Sequence, residues 1–289
     1  VTRRTEFSAP RLPRRRVRVS TALIQAGMML WTFLCIFPLY WLVSFSLKDN
    51  TEIFGGNVAG LPHNWLFTNY ASALIGAKVG IYLLNSVIVT AATIAITCLF
   101  SLMASYALTR MKWRGQKAML QFFLLGLMIP IHAALLPLFL VLSKMHLIST
   151  HLALILPYTG FALPMGIMII TGFIDGIPRE LEEAGCIDGA NIYQIFFRII
   201  MPILMPAAAT VMIFTFLQSW NELLFAQIFI SKENVKTLTA GIQSMYGQYQ
   251  TDWGPIGAAL VVATLPTLII YLCMSGQVQK SLAAGAVKG

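Results

Sequence analysis

Two groups of residues in the second half of the chain are of types that do chemistry. Gln218, Asn221 and Glu222 interrupt an apolar run, and Glu180, Glu182 and Glu183 cluster in a charged stretch ahead of it. Gln218 and Glu222 stand four residues apart, so on a helix they share a face with Asn221 beside them. Polar groups inside an apolar run are expensive in lipid and face a bundle interior or a cavity. Lining a polar path and hydrogen bonding between helices are both open for these three, and for Asn85 in an earlier run. Acid–base catalysis lacks support: no second ionisable residue lies at a fixed short spacing from Glu222, and His132 stands alone in its run. His63, His132, His146 and His151 form no HExxH or similar ligand spacing, so no metal is implied. Cys35, Cys98, Cys186 and Cys273 include no close pair suited to zinc or to a disulfide framework. A GxxxxGK(S/T) phosphate loop is absent, so this chain holds no nucleotide site of its own.

The elements that must carry these residues are long and apolar. Hydrophobic residues make up 57% of the 289 positions and charged ones 11%, with a mean hydropathy of +0.75. That is a polytopic membrane composition. Apolar runs at 22–47, 82–108, 118–142, 152–174, 203–230 and 256–274 each approach or exceed the ~20 residues that cross a ~30 Å hydrocarbon core. The fold expected is therefore an all-α membrane protein of six transmembrane helices. The first run is too long for a signal-peptide core and has no small-residue cleavage site after it, so it is expected to stay as the first span. One domain, 21–276, follows a basic arm at 1–20 and precedes a tail at 277–289.

Orientation follows from the basic residues. Of the 20 Lys and Arg, the arm, the 110–117 loop, the 174–202 stretch and the tail hold fifteen, and the alternate loops hold five. The positive-inside rule places both termini and the 174–202 stretch in the cytoplasm. The net charge of +9 sits at the ends of apolar runs and is not interleaved with stacking aromatics, which speaks for the lipid bilayer and against nucleic acid. Pro130, Pro137, Pro157, Pro164, Pro206 and Pro266 fall within the runs and predict kinks.

The 174–202 stretch reads as two short helices and a bend. Pro178 suits a first turn, Asp188-Gly189 signals a turn, and Asn191 can cap a second helix. Ala184, Gly185, Gly189 and Ala190 leave a patch almost free of side chains, where a partner backbone could approach. The outer segment 231–254 is rich in amide and aromatic groups, Gln243, Tyr246, Gln248, Tyr249 and Trp253 among them, which suit sugar faces and protein interfaces alike.

The spacing from Glu183-Ala184-Gly185 through Gly189 to Ile199, Met201 and Pro202 resembles the cytoplasmic EAA signature of ABC-importer permeases. That signature is Glu-Ala-Ala, three residues, Gly, nine residues, Ile-x-Leu-Pro. Gly185 and Met201 depart from it conservatively. The phrases IPRELEEAG, IDGAN, LNSVIV, WNELLFA and the terminal GAVKG resemble carbohydrate permeases of the maltose type. The resemblance implies a transmembrane permease subunit of a binding-protein-dependent sugar importer in the bacterial inner membrane, with no enzymatic activity of its own. It implies a second homologous permease, two ATP-binding subunits that hold ATP and Mg, and an extracytoplasmic substrate-binding protein. The loop between the fourth and fifth helices would be the coupling helix, with Glu183, Ala184, Gly185, Asp188, Gly189 and Ala190 against the ATPase. Gln243, Tyr246, Gln248, Tyr249 and Trp253 would face the binding protein, and Lys280 and Lys288 the ATPase. A permease for a polyol or glycerol-phosphate is the alternative within the class. A self-sufficient secondary transporter would need intramembrane charges, of which Glu222 is the clear one.

Overall fold

In the computed structural model, residues 19–247 and 251–286 are described, and their regular structure is helical throughout. Ten helices matter here: α1 (Val19–Ser46), α2 (Val79–Thr109), α3 (Gln116–Leu125), α4 (Leu135–Lys144), α5 (Leu152–Ile174), α6 (Glu180–Ile187), α7 (Met205–Trp220), α8 (Leu224–Phe229), α9 (Leu238–Gln243) and α10 (Trp253–Ala286). Four apolar helical stretches are long enough to cross a bilayer whole: Thr21–Ser46, Val79–Thr109, Leu152–Ile174 and Trp253–Met274. Two of the six expected spans are broken instead. The third bends by 94° between Gln116–Met128 and Ile131–Lys144, and the fifth by 71° between Ile192–Ile203 and Met205–Trp220.

The first break has a local cause. Pro130 has no N–H to give and pushes Ile129 into an extended conformation, φ −79° and ψ 116°, so the helix stops there. Pro157 and Pro164, by contrast, sit inside a continuous α5. The fifth run also ends early: α7 stops at Trp220 and α8 starts at Leu224, so 203–230 is not one span. The sixth helix runs on to Ala286, into what the sequence suggests is a separate tail.

The bundle is centred on α2 and α5, its most extensively packed pair, with α7 against both and α10 against α7. Small polar residues make the close approach possible. Thr90, Thr93, Thr97, Ser101 and Ser105 are buried along one face of α2. Ser101 fills the space where Gly166 of α5 lacks a Cβ, and Ser105 Oγ donates to the Ile167 carbonyl at 3.3 Å. This is the small-residue packing that lipid-embedded helices use where the hydrophobic effect offers little. α1 leans on α10 and leaves most of its apolar surface uncovered.

Residues 47–77 and 231–247 form a cap over one end of the bundle. Lys48 is fully buried and donates to the carbonyls of Asn57 (2.6 Å) and Gly60 (2.8 Å). Lys78 and Glu233 pair at 2.8 Å across the cap. The hydrogen bond from Lys78 holds the Glu233 carboxyl below its ordinary range, and Glu233 in turn raises Lys78. A depressed carboxylate contributes stability above its unfolded value and loses it as pH falls through the folded one. A raised ammonium loses its contribution as pH climbs past its own folded value. Both groups are about half exposed, so the effect is local. Amide protection factors at 232–236 are expected to stay level from about pH 5 to pH 9 and to fall below about pH 4. A Glu233→Gln variant is expected to lack that acid step, and an identical step in the variant would remove the pair as its cause.

Candidate functional site

Two places concentrate the polar chemistry, one at the end of the bundle that carries α6 and one at the break after α7.

At the end that carries α6, the two short helices fold as their sequence suggests. Glu180, Glu182 and Glu183 occupy the first turn of α6, where negative charge suits the helix dipole. Asp188 ends it, and Gly189 turns the chain with φ +78°, a left-handed value that suits glycine. Asn191 and Gln194 then form a capping box ahead of a π-helical stretch, Ile195–Ile200. Glu183, Ala184, Asp188 and Gly189 are exposed and Ala190 is half-buried.

Gly185 does not belong to that outward patch. It is buried against its own chain: a Cβ there would lie 2.8 Å from Ile199 Cδ1 and 3.3 Å from Ile195 Cγ1. Its missing side chain lets α6 lie on the π-helical stretch. Beside the exposed Ala184 and Gly189 stand two large apolar groups: Ile187 is 86% exposed and Tyr193 72%. Ile187 stands four residues after Glu183, so the signal was its place on the same face of a short amphipathic helix. Glu182 was the other omission. It is turned inward to Arg110, with Nε to Oε1 at 3.3 Å, and accepts from the Tyr106 hydroxyl at 3.0 Å.

At the outer break, Glu222 is 7% exposed and its carboxylate is heavily used. It accepts from the Tyr158 hydroxyl at 2.8 Å and from the backbone N–H groups of Phe225 (3.0 Å) and Ala226 (3.3 Å), while its own carbonyl accepts from Thr239 Oγ1 at 2.8 Å. Those bonds start α8 afresh. Glu222 is thus past the end of α7, not on one helical face with Gln218. Nor is His132 isolated: its Nε2 comes to 3.9 Å from Glu222 Oε1, because the 94° bend carries it back to the break.

Two cavities meet here and share Asn221 and Leu223. One, of about 360 Å³, is lined by His132, Gln218, Asn221 and Glu222 with three apolar neighbours. The other, of about 420 Å³, runs past Trp220, Thr239, Gln243 and Tyr246 to Thr264 and Thr267. Asn221 is exposed, with its Nδ2 tied to the Leu217 carbonyl. Asn85 lies apart from both. Its amide donates to the carbonyls of Asn234 and Lys236, each at 2.9 Å, and its Oδ1 is 3.0 Å from His151 Nε2. It pins the outer loop to α2.

Of the outer residues, Gln243 and Tyr246 are exposed. Trp253 opens α10 and is half-buried; the Tyr246 ring meets it edge-on at 5.6 Å. Gln248, Tyr249 and Lys288 lie outside the described residues, and Lys280 falls in the last turns of α10. No group of three or more His, Cys, Asp or Glu among the described residues could hold a metal ion.

A helical bundle with two broken spans and a short helical loop at one end has a counterpart among solved structures. A crystallised bacterial ABC transporter that imports the acidic polysaccharide alginate has a chain that superimposes with a TM-score of 0.79 at 19% identity, covering 94% of this chain and 99% of that one. Residues 98–283 match the family described as "Binding-protein-dependent transport system inner membrane component". The chain belongs to that family, and is a multi-pass membrane component. It is 36% identical to the probable ABC transporter permease YurM of Bacillus subtilis, over 96% of this chain and 92% of that protein. It is 33% identical to the diacetylchitobiose uptake permease NgcG of Streptomyces coelicolor, over 92% and 89%. With the trehalose/maltose permease MalG of Thermococcus litoralis it shares 29% identity over 92% and 96%.

Proposed function

We propose that this chain is one of two permease subunits of an ATP-driven sugar importer, with oligosaccharides as the substrate class. The observation that carries the reading is the exposed face of α6. Glu183, Ala184, Ile187, Asp188 and Gly189 stand outward together on a helix held firmly to the bundle. Such a face suits insertion into a cleft of an ATP-binding subunit, with Glu183 meeting a basic group and Ile187 buried on docking. Relatives named for diacetylchitobiose, trehalose/maltose and starch degradation products support the sugar assignment.

In this reading six spans, two of them bent, cross the bacterial inner membrane with both ends in the cytoplasm. ATP and Mg are held by two partner ATPases. Their closure draws two loops of this kind together, and α5 and α7 exchange inward for outward access. Gln218, Asn221 and Glu222 line the sugar's path beside His132, and Gln243, Tyr246 and Trp253 meet the extracytoplasmic binding protein. Lys280 follows the ATPase surface. Asn85 is reassigned from the path to the outer cap on its three hydrogen bonds.

The test is ATP-driven uptake of the binding protein's own sugar by the assembled transporter. Glu183→Lys and Gly189→Trp, each shown to insert and to assemble with the sister permease, are expected to lower uptake by more than about tenfold, the effect of ~1.4 kcal/mol lost from docking. Unchanged uptake in both would sink the reading.

A further inference from the structure

Glu182 and Glu183 are neighbours that face opposite ways, and the inward one reaches a junction of three helices. Arg110 directly follows α2 and its side chain is only 6% exposed. Its Nη2 donates to the carbonyls of Ile174 (2.6 Å), the last residue of α5, and Ile177 (2.5 Å), just beyond it. Its Nε lies 3.3 Å from Glu182 Oε1 on α6. The other Glu182 oxygen accepts from Tyr106, on the last turn of α2. The Tyr106 ring packs on Phe196 at 5.2 Å, in the same π-helical stretch that receives Gly185.

A guanidinium whose Nη2 bonds two carbonyls while its Nε side forms an ion pair with a carboxylate ties three segments together, since its nitrogens are fixed in one plane. Besides the seat of Gly185 on Ile195 and Ile199, α6 is joined to α5 by the short segment 175–179, which contains Gly176 and Pro178. A segment of that kind would flex under load and absorb a displacement of α6.

We infer that Arg110, Glu182 and Tyr106 form a clamp that makes α6 one rigid body with α2 and α5, so that a push on α6 is delivered to the membrane helices. The inference rests on the proposed docking of α6 to an ATPase. All three are positioning residues: they touch neither the partner nor the transported solute. Removing the clamp therefore separates two events that normally occur together, movement of α6 and movement of the bundle.

The test uses the full transporter in lipid nanodiscs. Cys35, Cys98 and Cys273 are replaced by Ser, and spin labels are placed on Cys186, exposed on α6, and on Met168→Cys, 44% exposed on α5. With the clamp intact, the label distance is expected to be single and narrow, and equal in the nucleotide-free and Mg-ATP–vanadate-trapped states. Glu182→Gln and Arg110→Lys are expected to split it into two populations on trapping, with Tyr106→Phe intermediate. A narrow, state-independent distance in both Glu182→Gln and Arg110→Lys overturns the clamp, as does a native distance that changes on trapping. The docking reading is scored separately, by co-purification of the ATPase with Glu183→Lys. Retained ATPase there removes the docking partner while leaving the distance measurement to judge the clamp.

Discussion

Glu222→Leu is expected to cost the protein a large part of its stability, and Glu222→Gln little. Leucine fills comparable space but accepts no hydrogen bond, so it strands the Tyr158 hydroxyl and the N–H groups of Phe225 and Ala226. A buried donor left without its partner costs about 1–3 kcal/mol. Three of them, partly relieved by local shifts, amount to about 4 kcal/mol against a total stability of about 5–15. With its oxygen in the place of Oε2, glutamine can accept from Tyr158, Phe225 and Ala226 alike, so a loss below about 1.5 kcal/mol is expected. Thermal denaturation of purified protein in detergent reads the difference. A Leu variant that melts within about 2 °C of the native protein would show that Glu222 is dispensable for the break after α7.

The two broken spans show how far the sequence carries and where it stops. The break at Ile129–Pro130 has a local cause, a proline and its restricted neighbour, and so is readable, although its 94° angle is set by tertiary packing. The break after Trp220 has no proline or glycine. It is made by Glu222 capping a new helix and by Thr239 holding the Glu222 carbonyl, a residue that lies 17 positions on in sequence. Hydropathy sees only an apolar run from 203 to 230. The same limit explains His132 and Glu222: they belong to different runs and meet because both runs are bent.

At the end that carries α6, local turn chemistry is legible in the sequence. Gly189, Asn191 and the α6 boundaries follow from local rules of capping and positive φ. The direction in which each side chain points does not, since it depends on where α2 and the π-helical stretch come to rest against α6. The inward turn of Glu182 to Arg110, the burial of Gly185 and the exposure of Ile187 are therefore set by packing and not by local sequence.

Gly185 provides the second large effect, and its direction depends on size. Gly185→Ala is expected to be tolerated: the new Cβ would meet Ile199 Cδ1 at 2.8 Å, the mobile tip of a side chain, and alanine regains about 1 kcal/mol of helix propensity over glycine. Alanine is also what the EAA pattern places there. Gly185→Leu leaves no such escape. Its branched end would have to occupy the space of Ile195 and Ile199, both of which belong to the core around Ile174, Phe196 and Ile200. Overpacking of that kind costs about 1–3 kcal/mol when the core must absorb it. Here a cheaper response exists, because α6 is a short surface helix that can lift away from the π-helical stretch. Lifting would carry Glu182 from Arg110 and misplace Glu183 and Ile187 together. Gly185→Leu is thus expected to keep a near-native melting temperature while losing ATPase co-purification and more than about tenfold of uptake. Gly185→Ala is expected to keep all three. If Leu at 185 leaves both co-purification and uptake intact, the seat of α6 on Ile195 and Ile199 is not what presents its outer face.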